Sequence, residues 1–210
     1  MHAGGWTGVF WDMDDFPLPP GLDLNQFVKN VELAIFRHGI RCDVEFYAFG
    51  SSDSFDFDRY VFTEGSFTAY KFVDKRTRFY RCLHTILRWI YHRKQYGGVK
   101  NVLYIAKGIP GEDNDNMDSF FDQMIERGHN VLTVVPDGTS PENFDYLGPI
   151  SAWYWSDLCS GGTAIADLDS STDDDSDSGS DSPETDRAQG VKRASETDAA
   201  AAAKSLQKSS

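Results

Sequence analysis

The sequence has few cysteines and no long apolar run. Its 210 residues include only Cys42, Cys82 and Cys159, and no two of them form a CxxC pair. An odd number of cysteines argues against a disulfide framework. The five histidines do not cluster with the cysteines at ligand spacing, which argues against a zinc site. No apolar run approaches the roughly 18 residues of a transmembrane helix, and the N-terminal region lacks the apolar segment of a signal peptide. We therefore expect an intracellular protein, cytoplasmic or nuclear, with no membrane span.

Positive charge is also scarce, since 20 basic residues stand against 33 acidic ones and the net charge is −13. Taken alone, this balance argues against electrostatic binding of nucleic acid. The charge is uneven, however, because residues 160–210 contain 11 acidic and five basic residues and no Phe, Tyr or Trp. Such a segment buries too little apolar surface to fold. We expect a folded domain over residues 1–159 and a disordered acidic tail over residues 160–210.

The tail contains Ser and Thr residues with an acidic residue three positions later, as in SSTDDD at 170–175. Acidophilic kinases favour this spacing, and each phosphate would add further negative charge. The tail could bind a basic protein partner or compete with RNA for basic residues of the domain. The alternative is an unconstrained solubilising extension.

Short apolar runs alternate with helical patterns along the domain. The runs predict strands over Thr7–Trp11, Val44–Phe49, Thr68–Val73, Asn101–Ala106 and Asn130–Val135, and an edge strand over Ala152–Trp155. Asp23 and Asp74 are predicted N-caps of the first two helices, and a third helix is predicted over Asp118–Arg127. The apolar stripe predicted for the second helix is Phe79, Leu83, Ile86, Leu87 and Ile90. Alternating strands and helices predict an α/β fold, a Rossmann-like three-layer sandwich with a mainly parallel sheet.

Acidic residues follow several of these predicted strands. Asp12 and Asp14 come after the first strand, Asp74 after the third, and Asp113 and Asp115 after the fourth. The carboxyl ends of parallel strands share one edge of the sheet, where ligands bind. Clustered carboxylates repel one another unless a cation neutralises them, and Mg²⁺ prefers such oxygen ligands. The pattern predicts a metal site, with helix N-caps and solvated loop acids as the alternative.

Basic and aromatic residues concentrate in the second predicted helix. Residues 74–100 contain eight Lys and Arg residues, with Tyr80, Trp89, Tyr91 and Tyr96 among them. Such a surface suits a phosphate backbone and unpaired bases, although the solvated face of an amphipathic helix is the equal alternative. The candidate RNA-binding residues are Arg76, Arg78, Arg81, Arg88 and Lys107.

The opening TGVFWDMDDFPLPP resembles that of an NYN domain, in particular the plant and limkain-type group (meiosis regulator and mRNA stability factor). VEFYAFGSS at 44–52 is similar to the second strand and turn of that family, and NVLYIAKGIPG with ERGHNVLTVVP at 126–136 resembles its last two strands. The resemblance spans residues 6–137. It implies a PIN-like nuclease fold in which acidic residues bind Mg²⁺ or Mn²⁺ for RNA hydrolysis, with Asp12 as the first metal-binding Asp. Peroxisome association is implied by the resemblance only.

The first hypothesis is a divalent-metal-dependent endoribonuclease acting in RNA turnover and regulation of gene expression. Asp12, Asp14 and Asp115 would be catalytic, and a metal-bound water would attack the phosphodiester. The predicted metal ligands are Asp12, Asp14, Asp113 and Asp115.

The second hypothesis is a degenerate NYN domain that binds RNA or protein without cutting. Arg78, Arg81 and His84 stand where the family has its middle acids, and the SGDxDF motif is absent after the fourth strand. His84 is a possible metal ligand by chemistry, but a lone helical histidine is more often a packing residue. A salt bridge from Arg78 or Arg81 to Asp12 would favour this second hypothesis. A third possibility, a small-nucleotide binder, is weakened by the absence of GxGxxG and P-loop motifs.

Overall fold

The first apolar run forms strand β1 (Trp6–Asp12) at the centre of a parallel sheet. The computed structural model describes residues 5–51, 66–109, 115–140 and 151–165. Strand β1 pairs with β2 (Asp43–Gly50) on one side and with β4 (Lys100–Ile105) on the other. All of its residues after Trp6 are buried. A strand covered on both faces needs a continuous apolar run, and this is the pattern that predicted it.

The described sheet has six parallel strands in the order β3-β2-β1-β4-β5-β6. The remaining strands are β3 (Ser66–Lys71), β5 (Asn130–Val135) and β6 (Ser151–Tyr154). Strand β6 lies at the edge, as predicted, although it ends one residue early because Trp155 begins a helix. The predicted α/β class with a parallel sheet is confirmed.

Four α-helices cover the sheet in the described part of the chain, namely α1 (Leu24–Arg37), α2 (Lys75–Arg93), α3 (Asp115–Glu126) and α4 (Trp155–Ser160). Both predicted N-caps are confirmed. The Asp23 carboxylate accepts a hydrogen bond from the Gln26 N–H at 2.8 Å, and the Asp74 carboxylate accepts one from the Thr77 N–H at 2.7 Å. Each cap satisfies a backbone donor that the first helical turn leaves unpaired.

The two faces of the sheet carry separate hydrophobic cores, which makes the domain three-layered. Helices α1 and α4 pack on one face, where the Trp11 ring lies 4.5 Å from that of Phe27. Helices α2 and α3 pack on the other face, where the Phe10 ring meets that of Trp89 at 5.8 Å. Successive residues of β1 therefore serve opposite cores, as the two-residue period of a strand requires.

The buried face of α2 differs from the predicted stripe, which was wrong at Leu87. The buried residues are Arg78, Phe79, Cys82, Ile86 and Trp89, whereas the Leu87 side chain is 50% exposed. The face of α2 that carries Arg78 and Trp89 packs on the sheet, because both side chains bind buried acidic residues there. A pattern of apolar residues alone contains no information about those partners.

The folded body continues past the predicted boundary at residue 159. Ser160 belongs to α4, and the Ile165 N–H donates to the Ala152 carbonyl of β6 at 2.8 Å. The rest of the predicted tail, residues 166–210, lies outside the described residues. Among the described residues, no helix combines the length and the apolar character needed to cross a membrane.

Candidate functional site

The candidate site lies where the direction of the sheet reverses. The chain runs from β1 to β2 on one side, and later from β4 to β5 on the other, so the carboxyl ends of β1 and β4 flank a crevice. Ligands of open parallel sheets bind at such switch points. Asp12 is the last residue of β1, and Lys107 follows β4 by two residues. The predicted convergence of strand ends is therefore found at this edge.

Asp12 is buried, with only 2% of its surface exposed. Both carboxylate oxygens accept hydrogen bonds from Arg78 Nε, at 3.2 and 3.1 Å. Lys75 Nζ lies 3.3 Å from Oδ2, and the Asp14 N–H donates to Oδ1 at 3.1 Å. A buried carboxylate requires such compensation, and here two protein cations supply it.

Arg78 joins three segments of the domain. It sits one turn after the Asp74 cap, and its side chain is only 6% exposed. Besides Asp12, its Nη1 donates to the carbonyls of Phe72 and Val73 at 3.1 and 2.9 Å and lies 3.0 Å from Asp14 Oδ2. The guanidinium fork thus ties the end of β1 to the loop that precedes α2.

Asp14 and Asp15 complete this arrangement. Asp14 Oδ1 accepts hydrogen bonds from the backbone N–H and the hydroxyl of Ser51, at 3.1 and 3.3 Å. Asp15 Oδ2 pairs with Lys75 and accepts the Lys107 N–H at 2.7 Å. Burial and then the nearby Asp12 charge raise the pKa of Asp15, and Lys75 offsets part of that effect. We call Asp12, Asp14, Asp15, Lys75 and Arg78 the ion-pair cluster.

The ion-pair cluster does not fit a divalent metal ion as it stands. Its three carboxylates face two protein cations, so most of the negative charge that a metal would neutralise is already neutralised. A divalent ion bound to Asp12 would also lie within a few ångströms of Arg78 and Lys75, and like charges at that distance repel. Among the residues that the structure describes, no group of three His, Cys, Asp or Glu side chains is placed to hold a metal.

The structure does not describe the side chains of the other two predicted metal ligands. Asp115 is the first residue of α3, and its side chain lies outside the described part. Asp113 also falls outside the described residues. Asp74 caps α2, which is the structural role considered for it, and His84 is exposed on α2. The structure therefore brings together Asp12 and Asp14 of the four predicted metal ligands.

Four of the five predicted RNA-binding residues lie at the surface. Arg76, Arg81, Arg88 and Lys107 are exposed. Three of them lie over aromatic rings: Arg76 is 6.0 Å from the Tyr80 ring, Arg81 is 5.7 Å from that of Phe72, and Lys107 is 5.3 Å from that of Phe16. The prediction for the fifth residue, Arg78, is corrected, because its guanidinium is buried against Asp12 and cannot lie along an RNA backbone.

Sequence reasoning missed a second buried acid, Glu45 of β2. Its carboxylate accepts the Trp89 indole N–H at 2.5 Å and pairs with Arg93, whose guanidinium lies 3.8 Å from the centroid of the Trp6 ring. The signal was a lone Glu within the apolar run VEFYAF. Its consequence is that Arg93, counted in the basic segment, has an internal partner.

Comparison with known sequences gives no relative, since neither a protein-family model nor a curated protein matches the chain. A functional conclusion therefore depends on the fold and on the geometry of its residues. The fold supplies a switch-point crevice, and the residues fill it with an ion-pair cluster.

Proposed function

We propose that this domain binds single-stranded RNA without cleaving it, as an NYN-like domain in which basic side chains replace the metal ion. One observation carries the proposal: Arg78 Nε lies 3.2 and 3.1 Å from the two carboxylate oxygens of Asp12. Asp12 is the residue that the NYN resemblance assigns to the metal. A carboxylate held on both oxygens by a buried guanidinium has a structural role.

The energetics of buried ion pairs support this interpretation. Removing one partner of a buried pair costs about 3–5 kcal/mol, because the other charge is left uncompensated. A metal ion at Asp12 would have to displace Arg78 in the same way, and Arg78 would also lose its contacts with the Phe72 and Val73 carbonyls. The paired state is therefore the favoured one.

RNA is the favoured ligand because exposed cations and exposed rings alternate on α2. Tyr80 and Tyr91 are 48% and 75% exposed, and the exposed cations Arg88 and Lys94 lie one helical turn before and after Tyr91. Cations of this kind contact phosphates, and tyrosine rings stack on unpaired bases without demanding a particular sequence. Neither contact requires the ion-pair cluster.

A metal-dependent ribonuclease is the second candidate. The observation that favours it is the convergence of Asp12, Asp14 and Asp15 at the crevice between β1 and β4. This candidate requires Lys75 and Arg78 to withdraw before Mg²⁺ or Mn²⁺ enters. It therefore makes a different prediction for divalent ions.

The two candidates are separated by one binding and cleavage experiment on the full chain. Labelled single-stranded RNA is incubated with wild type and with Asp14→Asn, which alters the cluster at a partly exposed position, in Mg²⁺, Mn²⁺ or EDTA. We expect RNA to be bound equally in all three conditions and to remain intact. Metal-dependent cleavage that Asp14→Asn reduces would contradict the proposal, and so would the absence of RNA binding by the wild type.

A further inference from the structure

A groove of about 840 Å³ opens at the amino ends of the strands, whereas the ion-pair cluster lies at their carboxyl ends. It lies between the C-terminal half of α2 and the amino ends of β4 and β5. Its basic lining residues are His84, Arg88, Lys94, Lys100, Arg127 and His129. None of its described lining residues is acidic. We call this site the basic groove.

The cations of the basic groove have no carboxylate partner among the residues that the structure describes. Arg88, Lys94 and Arg127 are exposed, and none of them pairs with a carboxylate in the described part of the chain. The buried Lys100 ammonium donates to the carbonyls of Gly97 and Gly98, which are neutral groups. This contrasts with the ion-pair cluster, where carboxylates surround each cation.

A histidine in the groove also has an unused hydrogen-bonding atom. His129 follows the turn after α3, next to Lys100 in the sheet register that pairs Asn101 with Asn130. Its Nδ1 atom is buried and has no hydrogen-bond partner among the described residues. Buried polar atoms are normally paired, so an unpaired one in the lining of a groove is available to a ligand that enters it.

Apolar side chains lie among these cations. Leu87 and Tyr91, one helical turn apart on α2, are 50% and 75% exposed. Together with Arg88 and Lys94 they line the groove, so apolar and cationic groups face the same space. A ligand with both negative charge and flat apolar rings would use every one of these groups.

We propose that single-stranded RNA binds in the basic groove, with phosphates on Arg88, Lys94 and Arg127 and a base stacked on Tyr91. The inference rests on the proposed RNA binding and gives it a location, at the edge opposite the crevice of β1 and β4. Charge complementarity selects an anionic ligand. The exposed Tyr91 ring selects a nucleic acid over an acidic peptide, because an acidic peptide has no bases to stack.

The location is tested with two double variants that remove the same charge from opposite ends of α2 and its surroundings. Arg88→Gln/Arg127→Gln alters the basic groove, and Arg76→Gln/Arg81→Gln alters the end of α2 near the ion-pair cluster. All four side chains are exposed, so both variants are expected to fold. Binding of a labelled ten-nucleotide oligouridine to the full chain is measured by fluorescence anisotropy at several salt concentrations.

We expect the groove variant to bind RNA at least tenfold more weakly. The slope of log K against log salt should become less negative by about 1.4, since two phosphate contacts are lost. The matched variant should retain wild-type affinity within about twofold. Tyr91→Ala should weaken binding roughly tenfold, whereas Tyr91→Phe should restore it. Weakening by the matched variant alone would overturn the location while leaving RNA binding intact.

Two further outcomes would overturn the proposal that RNA binds in the basic groove. If the wild type does not bind the oligouridine, both this inference and the proposed function fail. If a peptide with the sequence of residues 170–186 binds the wild type more tightly than the oligouridine does, and the groove variant abolishes that binding, then the groove is an acidic-peptide site and the inference is overturned.

Discussion

At the scale of single residues, the proposed function depends on the pairing of Arg78 with Asp12. The sequence places an acid at the end of β1 and several basic residues on α2, and this content fits both a metal site and an RNA surface. The structure pairs the two sets, since Arg78 binds both oxygens of Asp12 and Lys75 bridges Asp12 and Asp15. Because Arg78 faces inward, a cation of the protein itself pairs with the carboxylate that was predicted to bind a metal.

Removing the guanidinium should destabilise the domain. Arg78→Met leaves Asp12 buried with Lys75 as its remaining cation, and we expect a loss of about 3–5 kcal/mol in the free energy of unfolding. In Arg78→Met/Asp12→Asn the loss should be smaller than the sum of the two single losses, because neither partner is left charged. Urea denaturation measures all three. The control is Arg81→Met at an exposed position on the same helix, and an equal loss in that control would contradict the structural role of Arg78.

A histidine in the basic groove should make stability depend on pH. Burial lowers the pKa of His129 below its ordinary value of 6.5, and the charges of Lys100 and Arg127 lower it further. The unfolded chain therefore binds the proton more readily, so the contribution of His129 to stability is complete above pH 6.5 and is lost as the pH falls through the lowered value.

His129→Gln should reduce this dependence. We expect the free energy of unfolding to fall less between about pH 7.5 and pH 5 in the variant than in the wild type. Burial also lowers the pKa of His38, so His38→Gln should change the profile in the same direction. Urea titrations across this pH range make the measurement. Profiles identical to the wild type in both variants would refute the assignment.

At the scale of elements, α2 serves both edges of the sheet. Its first turn delivers Lys75 and Arg78 to the ion-pair cluster, its middle packs Phe79, Cys82 and Ile86 into a core, and its last turns line the basic groove. Residues 75–93 are long enough to do this because a helix rises about 1.5 Å per residue. The same helix therefore contributes side chains to both the ion-pair cluster and the basic groove.

The caps and the central strands were predictable from sequence because their causes are local. Asp23 caps α1 through the nearby Gln26 N–H, and β1 shows as a continuous apolar run. The buried face of α2 was not predictable, since Trp89 turns inward to meet Glu45, 44 positions earlier in the chain. The basic groove escaped detection for the same reason, because Arg127 and His129 come from a turn far from α2 in sequence.

Loss of a local cap should have a local cost. Asp23→Ala removes the acceptor for the Gln26 N–H, and we expect the free energy of unfolding to fall by about 1 kcal/mol. Asp23→Ser should retain most of the stability, because a hydroxyl oxygen can accept the same bond. Thermal or urea unfolding of the two variants makes the comparison. Equal loss in both would mean that the carboxylate contributes by some means other than capping.

At the scale of the whole molecule, the net charge of −13 conceals a separation of charge. The carboxylates of the ion-pair cluster are paired with cations inside the domain, while Arg88, Lys94 and Arg127 of the basic groove face solvent. An acidic protein can therefore present one local surface to an anion. The carboxylate convergence at the first edge followed from the predicted topology, but its internal neutralisation depended on which way Arg78 faces.

This separation predicts how salt affects RNA binding. With three groove cations contacting phosphates, log K for a single strand should fall with log salt at a slope of about −2. Anisotropy titrations between about 50 and 300 mM salt measure the slope. A slope near zero would mean that phosphate contacts do not contribute, and the whole-molecule interpretation would then be wrong.

The most direct test of the central claim is whether a divalent ion reaches Asp12. Arg78 binds Asp12 through its Nε–H group, and Arg93 pairs with Glu45 through Nη2. The Nε–H group of each arginine gives its own signal in a ¹H–¹⁵N spectrum of the full chain. Mn²⁺ broadens the signals of protons close to it. We predict that both signals keep equal intensity as Mn²⁺ is added. Selective loss of the Arg78 signal at low Mn²⁺, with the Arg93 signal preserved, would show a metal at Asp12 and contradict this account.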